Sequence, residues 1–581
     1  MVSPSAALAP LVTAAIAQAF GEDFRGADPV LRPSQFADLQ SNAPLALAKR
    51  VGMPPRDVAA KIVAELEALG VRDVVSGLEI SGPGFVNLTV SDAWVSAQAA
   101  ALAADERAGV PVQDPRTVVI DYSSPNVAKE MHVGHLRTTI VGDALARTLE
   151  ELGHTVVRQN HVGDWGTPFG MLIEHLLDVG EDSPDAALLE TDPNAFYQAA
   201  RVKFDGDEAF ATRARARVTT LQSGDAGTLA TWERLVGLSR VYFNKVYATL
   251  GVTLTDVDLA GESTYNDELA GICDELQEKG LATVSDGALC VFLDGYTGRE
   301  GKPVPLIVRK SDGGYGYGTT DLATIRRRVH DLHADRVLYV VGVTQAQHFE
   351  MVWQTARLAG WVPDDVEVVH VKIGSVLGED RKLLRTRAGS ALRLMALLEE
   401  AVTAATAVVE ERRSDLDAAT RAEIGRQIGI GAVKYADLSV AHDSDYVFDL
   451  DRMLALTGNT GPYLQYAVTR LRSIFRAAGL DPQEAVARRV VVTEPAERAL
   501  ALALLGFGGV VAAVGDELEP HRLCVYLFDL AQTLSAFYEE CPVLKAATSE
   551  ARESRLALCA ASLRVLLLGL GLLGIEAPQQ M

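Results

Sequence analysis

The sequence predicts an α/β protein: a parallel sheet at the centre, a small α+β unit before it and an all-helical region after it. Three observations carry this. Thr117–Gln159 reads as one strand–turn–helix–strand unit, DRVLYVVGV at 335–343 reads as a further buried strand, and from about Arg393 the chain reads as wholly helical to Met581.

The first stretch organises the rest. Thr117–Asp121 is a short β-branched run, followed by turn residues Ser123, Ser124, Pro125 and Asn126. Leu136, Ile140, Val141, Ala144, Leu145, Thr148, Leu149 and Leu152 then recur at helical spacing, Gly153 ends the helix and Thr155–Gln159 resumes as a strand. This βαβ unit is the building block of a nucleotide-binding parallel sheet. His132 and His135 lie three apart at the helix start, and Gly134 between them lets a flat ring approach the backbone. A helix N-terminus is a natural phosphate site, and imidazole donors there can stabilise charge growing on phosphorus. The residues alone leave a second reading open, in which the histidines merely cap the helix.

Residues 1–115 read as a separate α+β unit. DLQSNAPLALAKRV and PPRDVAAKIVAELEAL have amphipathic helical spacing, and LEISGPGFVNLTV is a strand pair around a Gly-Pro-Gly turn. After the βαβ unit, Asp164, Trp165 and Gly166 stand at a strand end, and about 176–259 is a mostly helical insertion. GESTYNDEL leads back to the core. In KSDGGYGYGTTDLATIRRR, Thr319 or Thr320 is expected to cap the next helix, and Tyr317 and Asp321, four apart, can converge on one ligand. A carboxylate there suits a planar guanidinium, although a capping Asp beside a packed Tyr fits the same spacing. Gln345 and His348 follow the strand at 335–343 on the same sheet edge, as Asp121 and Asn126 follow the first.

Composition bounds the class. With 581 residues, 48% hydrophobic and 23% charged, the chain needs two to four domains and has no low-complexity tract. The alanine-rich start has no Lys or Arg before Arg25, unlike a secretory signal. The longest apolar run, Ala499–Val514, falls short of the roughly 18–20 residues of a span, so it is expected to be one buried helix and no membrane is expected. Five scattered cysteines without a CxxC pair predict no structural metal site and fit reduced thiols in a cytoplasm. A net charge of −23 argues against a general nucleic-acid coat while leaving local basic patches open, around 326–328, 381–387 and 470–476.

SSPNVAKEMHVGHLRTTIVGD resembles the first signature of class I aminoacyl-tRNA synthetases in its arginyl form. HVGDWGTPFG, GESTYND, KSDGGYGYGTTDLA, VVGVTQAQHF, TRAG, GAVKYADLS and GNTGPYLQYA are similar to that family in its order, so the resemblance spans essentially the whole chain. It implies a Rossmann-like catalytic domain over 116–392, an N-terminal additional domain contacting the tRNA corner over 1–115, and a helical anticodon-binding domain over 393–581. It implies ATP, L-arginine and tRNA(Arg) as substrates, Mg2+ with the triphosphate, activation that needs tRNA, a cytoplasmic enzyme and a monomer. By position it implies His132, His135 and Lys129 in catalysis. ATP would meet Gly134, His132, His135, Lys382, Arg385 and Arg387, the last three from GEDRKLLRTRAG, which departs from the usual Lys-Met-Ser-Lys-Ser loop. Arginine would meet Asp121, Ser123, Asn126, Tyr317, Asp321 and Gln345. Relatives often carry Glu at the position of Asp121, which reaches about 1.5 Å further. The tRNA would meet Tyr463, Gln465, Tyr466 and Arg470 by base stacking and phosphate contact, unless the tyrosines are bundle core. Where many relatives carry an Arg after ADLS, this chain has Ala441 and His442. Two alternatives stay open: a specialised or resistant paralogue, and a tRNA-independent adenylate-forming ligase on the same fold.

Overall fold

The computed structural model describes residues 2–127, 129–180, 182–298, 301–378, 380–384, 392–486 and 488–581. Four parallel strands form the central sheet: β1 (Thr117–Asp121), β2 (Thr155–Gln159), β3 (Arg336–Gly342) and β4 (Glu367–Ile373), in the order β4-β3-β1-β2. Successive strand side chains point to opposite faces. Val118, Ile120, Leu338 and Val340 enter the main core, while Val119, Val337, Tyr339 and Val341 enter a second core on the other face. Burial on both faces is why these strands read as unbroken apolar runs.

Helix α1 (Gly134–Glu151) joins β1 to β2, and Gly153, at φ 96°, turns the chain back into the sheet. The path from β2 to β3 holds the expected helical insertion, whose long members are Pro193–Gly206, Glu208–Gln222 and Ala226–Leu250. It also holds an antiparallel sheet of Ala282–Ser285, Ala288–Val291 and Leu306–Arg309, which the sequence reading did not foresee, and then α2 (Tyr317–His330). Thr319 and Thr320 lie inside α2 rather than at its cap. Gly316 is the N-cap, and the Thr319 hydroxyl donates to the Val308 carbonyl.

The N-terminal unit is a four-stranded antiparallel sheet with helices Pro4–Phe20, Ala43–Val51, Pro55–Ala68 and Asp92–Ala104. DLQS was read into a helix, yet Leu39–Ser41 is a strand paired with Phe85–Val90, so tertiary pairing overrides local spacing there. Arg498 ties this unit to the helical region, 2.7 Å from both Asp38 and Asp92.

The C-terminal region includes α3 (Ala418–Leu438) and α4 (Gly461–Ala478). It is not wholly helical: Tyr446–Val447 forms a short strand parallel to Val376–Leu377. The apolar run at 499–514 is two helices, Pro495–Leu505 and Phe507–Glu517, broken at Gly506. By length and composition Pro495–Glu517 and Ser549–Leu572 could each cross a membrane. Here they line the main core, joined by a buried Arg555–Glu497 pair at 2.7 Å, and core helices of soluble proteins meet the same criterion.

Candidate active site

The carboxyl ends of β1 and β3 open onto a cavity of about 540 Å³. A second, of about 510 Å³, continues from it around the start of α1, and His132, Gly134, Thr138, Gly342 and Thr344 line both. The turn after β1 is forced: Ser123 and Ser124 both sit in the left-handed region, at φ 71° and 47°. Such strain persists only where the surroundings over-determine it. Here Asn160 accepts from the Ser124 main-chain N–H at 3.0 Å and Gly163 accepts from that of Val127 at 3.3 Å.

The two histidines hydrogen-bond at the helix start, which fits the capping reading. The main-chain N–H of Gly134 donates to His132 Nδ1 at 3.0 Å, and that of His132 donates to His135 Nδ1 at 3.1 Å. His132 therefore takes up the first N–H of the helix, and His135 ties down the residue ahead of its N-cap. Because each Nδ1 accepts, the ring proton sits on Nε2, leaving that nitrogen as a donor. The rings lie 4.0 Å apart. Burial and the Lys129 charge lower His132, while burial and His132 take His135 down to about 3, so both rings are neutral near pH 7. Gly134 is required for contact: a Cβ there would stand 2.7 Å from the His132 ring.

The polar wall opposite comes from α2 and from residues within the motifs above to which the sequence reading assigned no role: His161 of HVGDWGTPFG and Glu262 of GESTYND, with His348 beside them. Tyr317, first in α2, is 70% exposed, and Asp321 follows one turn later. His348 Nε2 lies 2.5 Å from Asp321 Oδ2 and His161 Nε2 lies 3.9 Å from Oδ1. Glu262 lines the same wall; burial, then the like charges of Asp321 and Asp164, push its carboxyl up to about 8. Asn126 and Gln345 are exposed and line the cavity as expected.

Several expected contacts are redirected. Asp121 reaches the wall, but its Oδ2 is held 2.7 Å from the buried Arg328 and its Oδ1 accepts from Ser124 Oγ at 2.8 Å. Its charge is therefore already neutralised within the chain. The Ser123 hydroxyl is buried between Tyr247 and Thr139, at 2.8 and 2.9 Å, so it is spent inside the fold. The Lys129 ammonium stands 4.2 Å over the Tyr197 ring of the insertion and lines neither of these cavities. Lys382 sits in an exposed turn that hydrogen-bonds back to Gly378; its neighbours Leu383 and Leu384 line the second cavity instead. Arg385 and Arg387 lie outside the described residues.

On α4, Tyr466 is 47% exposed, and the Arg470 guanidinium lies 3.7 Å over Tyr538. Tyr463 is half-buried against Phe528. Gln465 is wholly buried, its Nε2 donating to the carbonyls of Gln427 and Glu576 at 2.9 and 2.7 Å, and so cannot meet RNA. At the departure noted after ADLS, His442 Nδ1 lies 2.7 Å from the Lys372 carbonyl oxygen, a contact to the end of β4.

Residues 98–450 match the family described as tRNA synthetases class I (R), catalytic domain, residues 464–581 the DALR anticodon binding domain, and residues 6–90 the arginyl tRNA synthetase N terminal domain. The chain is 66% identical to an arginine–tRNA ligase of Thermobifida fusca over 581 residues, covering all of both chains. It is 53% identical to one from Frankia casuarinae, covering 96% of this chain and 95% of that one. Among solved structures, it superposes on the arginyl-tRNA synthetase of Plasmodium falciparum with a TM-score of 0.84 at 28% identity, over the whole of both chains. The Thermus thermophilus arginyl-tRNA synthetase gives 0.79 at 26% identity, covering 99% of this chain and 100% of that one.

Proposed function

The chain belongs to the arginyl-tRNA synthetase family and is an arginine–tRNA ligase, and from that premise we propose how its residues divide the reaction. The arginine carboxylate attacks the α-phosphorus of ATP, giving arginyl-adenylate and diphosphate. A terminal ribose hydroxyl of tRNA(Arg) then attacks the acyl carbon and releases AMP.

The guanidinium docks between Asp321 and Glu262, with the Tyr317 hydroxyl adding direction and Asn126 and Gln345 completing the polar wall. One observation carries this reading: Glu262, Tyr317 and Asp321 line the same cavity. Burial first and the Asp321 charge second hold Glu262 up at about 8 there, and a cation between the two carboxyls would relieve their repulsion. A planar fork of five N–H donors suits paired carboxylates better than a compact ammonium does. The second cavity takes the adenosine. His132 and His135 donate from Nε2 to oxygens on the α-phosphorus as their charge grows, an arrangement that acts by positioning and electrostatics without a covalent nucleophile. Lys382, Arg385 and Arg387 supply positive charge for the triphosphate. Among the described residues no group of three or more His, Cys, Asp or Glu is arranged to hold a metal, so Mg2+ is assigned to the ATP triphosphate as part of the substrate. Exposed Tyr466 and half-buried Arg470 are the tRNA contacts, and the enzyme acts as a cytoplasmic monomer. The anticodon-domain match over 464–581 supports tRNA as a substrate and gives no support to a tRNA-independent ligase.

The test is ATP–pyrophosphate exchange across the amino acids, with and without tRNA, followed by aminoacylation. Exchange dependent on arginine and transfer to tRNA(Arg) are expected. Preferential exchange with another amino acid overturns the assignment of the pocket.

A further inference from the structure

The first turns of α1 carry a charged residue that the chemistry above does not use. Arg137, two residues after His135, is 1% exposed. Its Nε donates to Asp437 Oδ1 at 3.1 Å, Nη1 to the Ser444 carbonyl at 2.6 Å and Nη2 to the Ala441 carbonyl at 3.4 Å. Its guanidinium also lies 5.2 Å over the Tyr446 ring. Asp437 lies in the last turn of α3, and Tyr446–Val447 is the strand that pairs with Val376–Leu377 just ahead of the GEDRKLLRTRAG stretch. The exit of β4 is drawn into the same knot: a Cβ on Gly374 would stand 3.0 Å from Arg137 Nη1 and 2.7 Å from the Ser444 carbonyl. Further along α1, Lys434 of the same helix α3 faces Asp143, donating to the carbonyls of Leu250 and Gly574 at 2.8 and 2.6 Å. Helix α3 therefore meets α1 through one hydrogen-bonded ion pair and, further along, through the attraction of Lys434 to Asp143.

A buried ion pair is a poor way to gain stability, because apolar side chains of the same volume usually serve as well. A rigid guanidinium fork adds direction. Several bonds fanning from one group fix both the rotation and the axial position of α1, and displacing catalytic groups by about 1 Å reduces rates by on the order of 10²-fold. We propose that Arg137 is a positioning residue, through which Asp437 of helix α3 sets the placement of His132 and His135. The proposal rests on the role given to those histidines above.

The test compares Arg137→Lys and Asp437→Asn with Arg336→Lys, by arginine-dependent pyrophosphate exchange in the presence of tRNA and by thermal unfolding. Arg336 is the control, since it holds the helical region at the opposite end of the sheet, donating to the carbonyls of Gly515 and Asp516, and touches neither α1 nor the cavities. The first two variants are expected to lower kcat by about 10–100-fold with KM for arginine and ATP within about twofold. Arg336→Lys is expected to keep kcat whatever it loses in melting temperature. Should Asp437→Asn not fold, Asp437→Glu keeps the charge and moves it by one methylene, and an intermediate kcat is expected. A kcat loss that tracks melting temperature across all the variants, wild-type kcat in Asp437→Asn, or a loss confined to KM overturns the proposal. His135→Ala run alongside separates the failures: wild-type kcat there removes the histidine role itself, and the positioning role with it.

Discussion

The two ends of the parallel sheet treat charge in opposite ways. At the amino ends Arg116 and Arg336 share Glu367, at 3.4 and 3.1 Å, and the Asp335 carboxylate accepts from the Thr117 main-chain N–H at 2.7 Å. Arg336 also meets the last carbonyls of helix Phe507–Glu517, where a cation suits the helix dipole. At the carboxyl ends Asp321 has histidines for neighbours, and Glu262 is pushed up by burial and then by like charges. Charge paired within the chain holds domains together, whereas Asp321 and Glu262 have no Lys or Arg ion pair among the described residues, which is why the proposed site gives them an outside cation. Asp121 marks the boundary: it stands at the carboxyl edge, yet Arg328 has made it structural.

The largest expected effect that sharpens this contrast concerns donors rather than acceptors. His135→Ala should lower kcat by about 10²–10³-fold, since one donor to developing charge is worth that much, while KM for arginine and ATP changes little. Steady-state kinetics decide it, and an unchanged kcat removes His135 from the chemistry.

Next comes α4, where neighbours in sequence divide between surface and core. Tyr466→Ala should weaken tRNA binding by about 1–3 kcal/mol, the worth of one stacked base, with the melting temperature unchanged. Gln465→Ala should do the reverse, leaving the buried carbonyls of Gln427 and Glu576 without a donor at about 1–3 kcal/mol of stability. Filter binding and thermal unfolding read the two, and a Tyr466 variant that unfolds places that ring in the core.

The smallest effect is a proton. Below about pH 8 Glu262 in the free site is protonated, and a guanidinium beside it favours the carboxylate, so binding expels a proton. Arginine affinity then rises with pH up to about 8, by at most about tenfold per unit, and flattens above. Calorimetry in buffers of different ionisation enthalpy counts the proton. Glu262→Gln should release none, and wild-type binding without release near pH 7 contradicts the reading.

What was legible in the sequence was local. The βαβ unit, the histidines at its helix start and the Tyr317–Asp321 pair follow from spacing within one or two turns. Misreadings came from partners far along the chain. Arg328, which neutralises Asp121, is 207 positions away, and nothing around Asp121 announces it. Glu262 enters the wall because its main-chain N–H donates to the Val162 carbonyl at 3.2 Å, a contact made across the whole insertion. Gln465 looked like an RNA contact because it lies between two tyrosines, yet its helix face is set by Gln427 and Glu576.

The matched pair Asp121→Asn and Asp321→Asn tests most directly whether unpaired charge marks function and paired charge marks structure. Each change keeps size and removes one charge from the same sheet edge. Arginine kcat/KM, ATP KM and melting temperature would be measured for both, with saturating tRNA. Asp321→Asn is expected to lose about 3–5 kcal/mol in arginine kcat/KM with ATP KM and melting temperature nearly unchanged, because the proposed site pairs it with the substrate guanidinium. Asp121→Asn is expected to lose a similar amount in stability, because it strands Arg328 in the core, and to lose less of its arginine kcat/KM than Asp321→Asn does. Wild-type arginine kinetics in Asp321→Asn, together with an Asp121→Asn variant that melts normally but no longer uses arginine, would contradict the account.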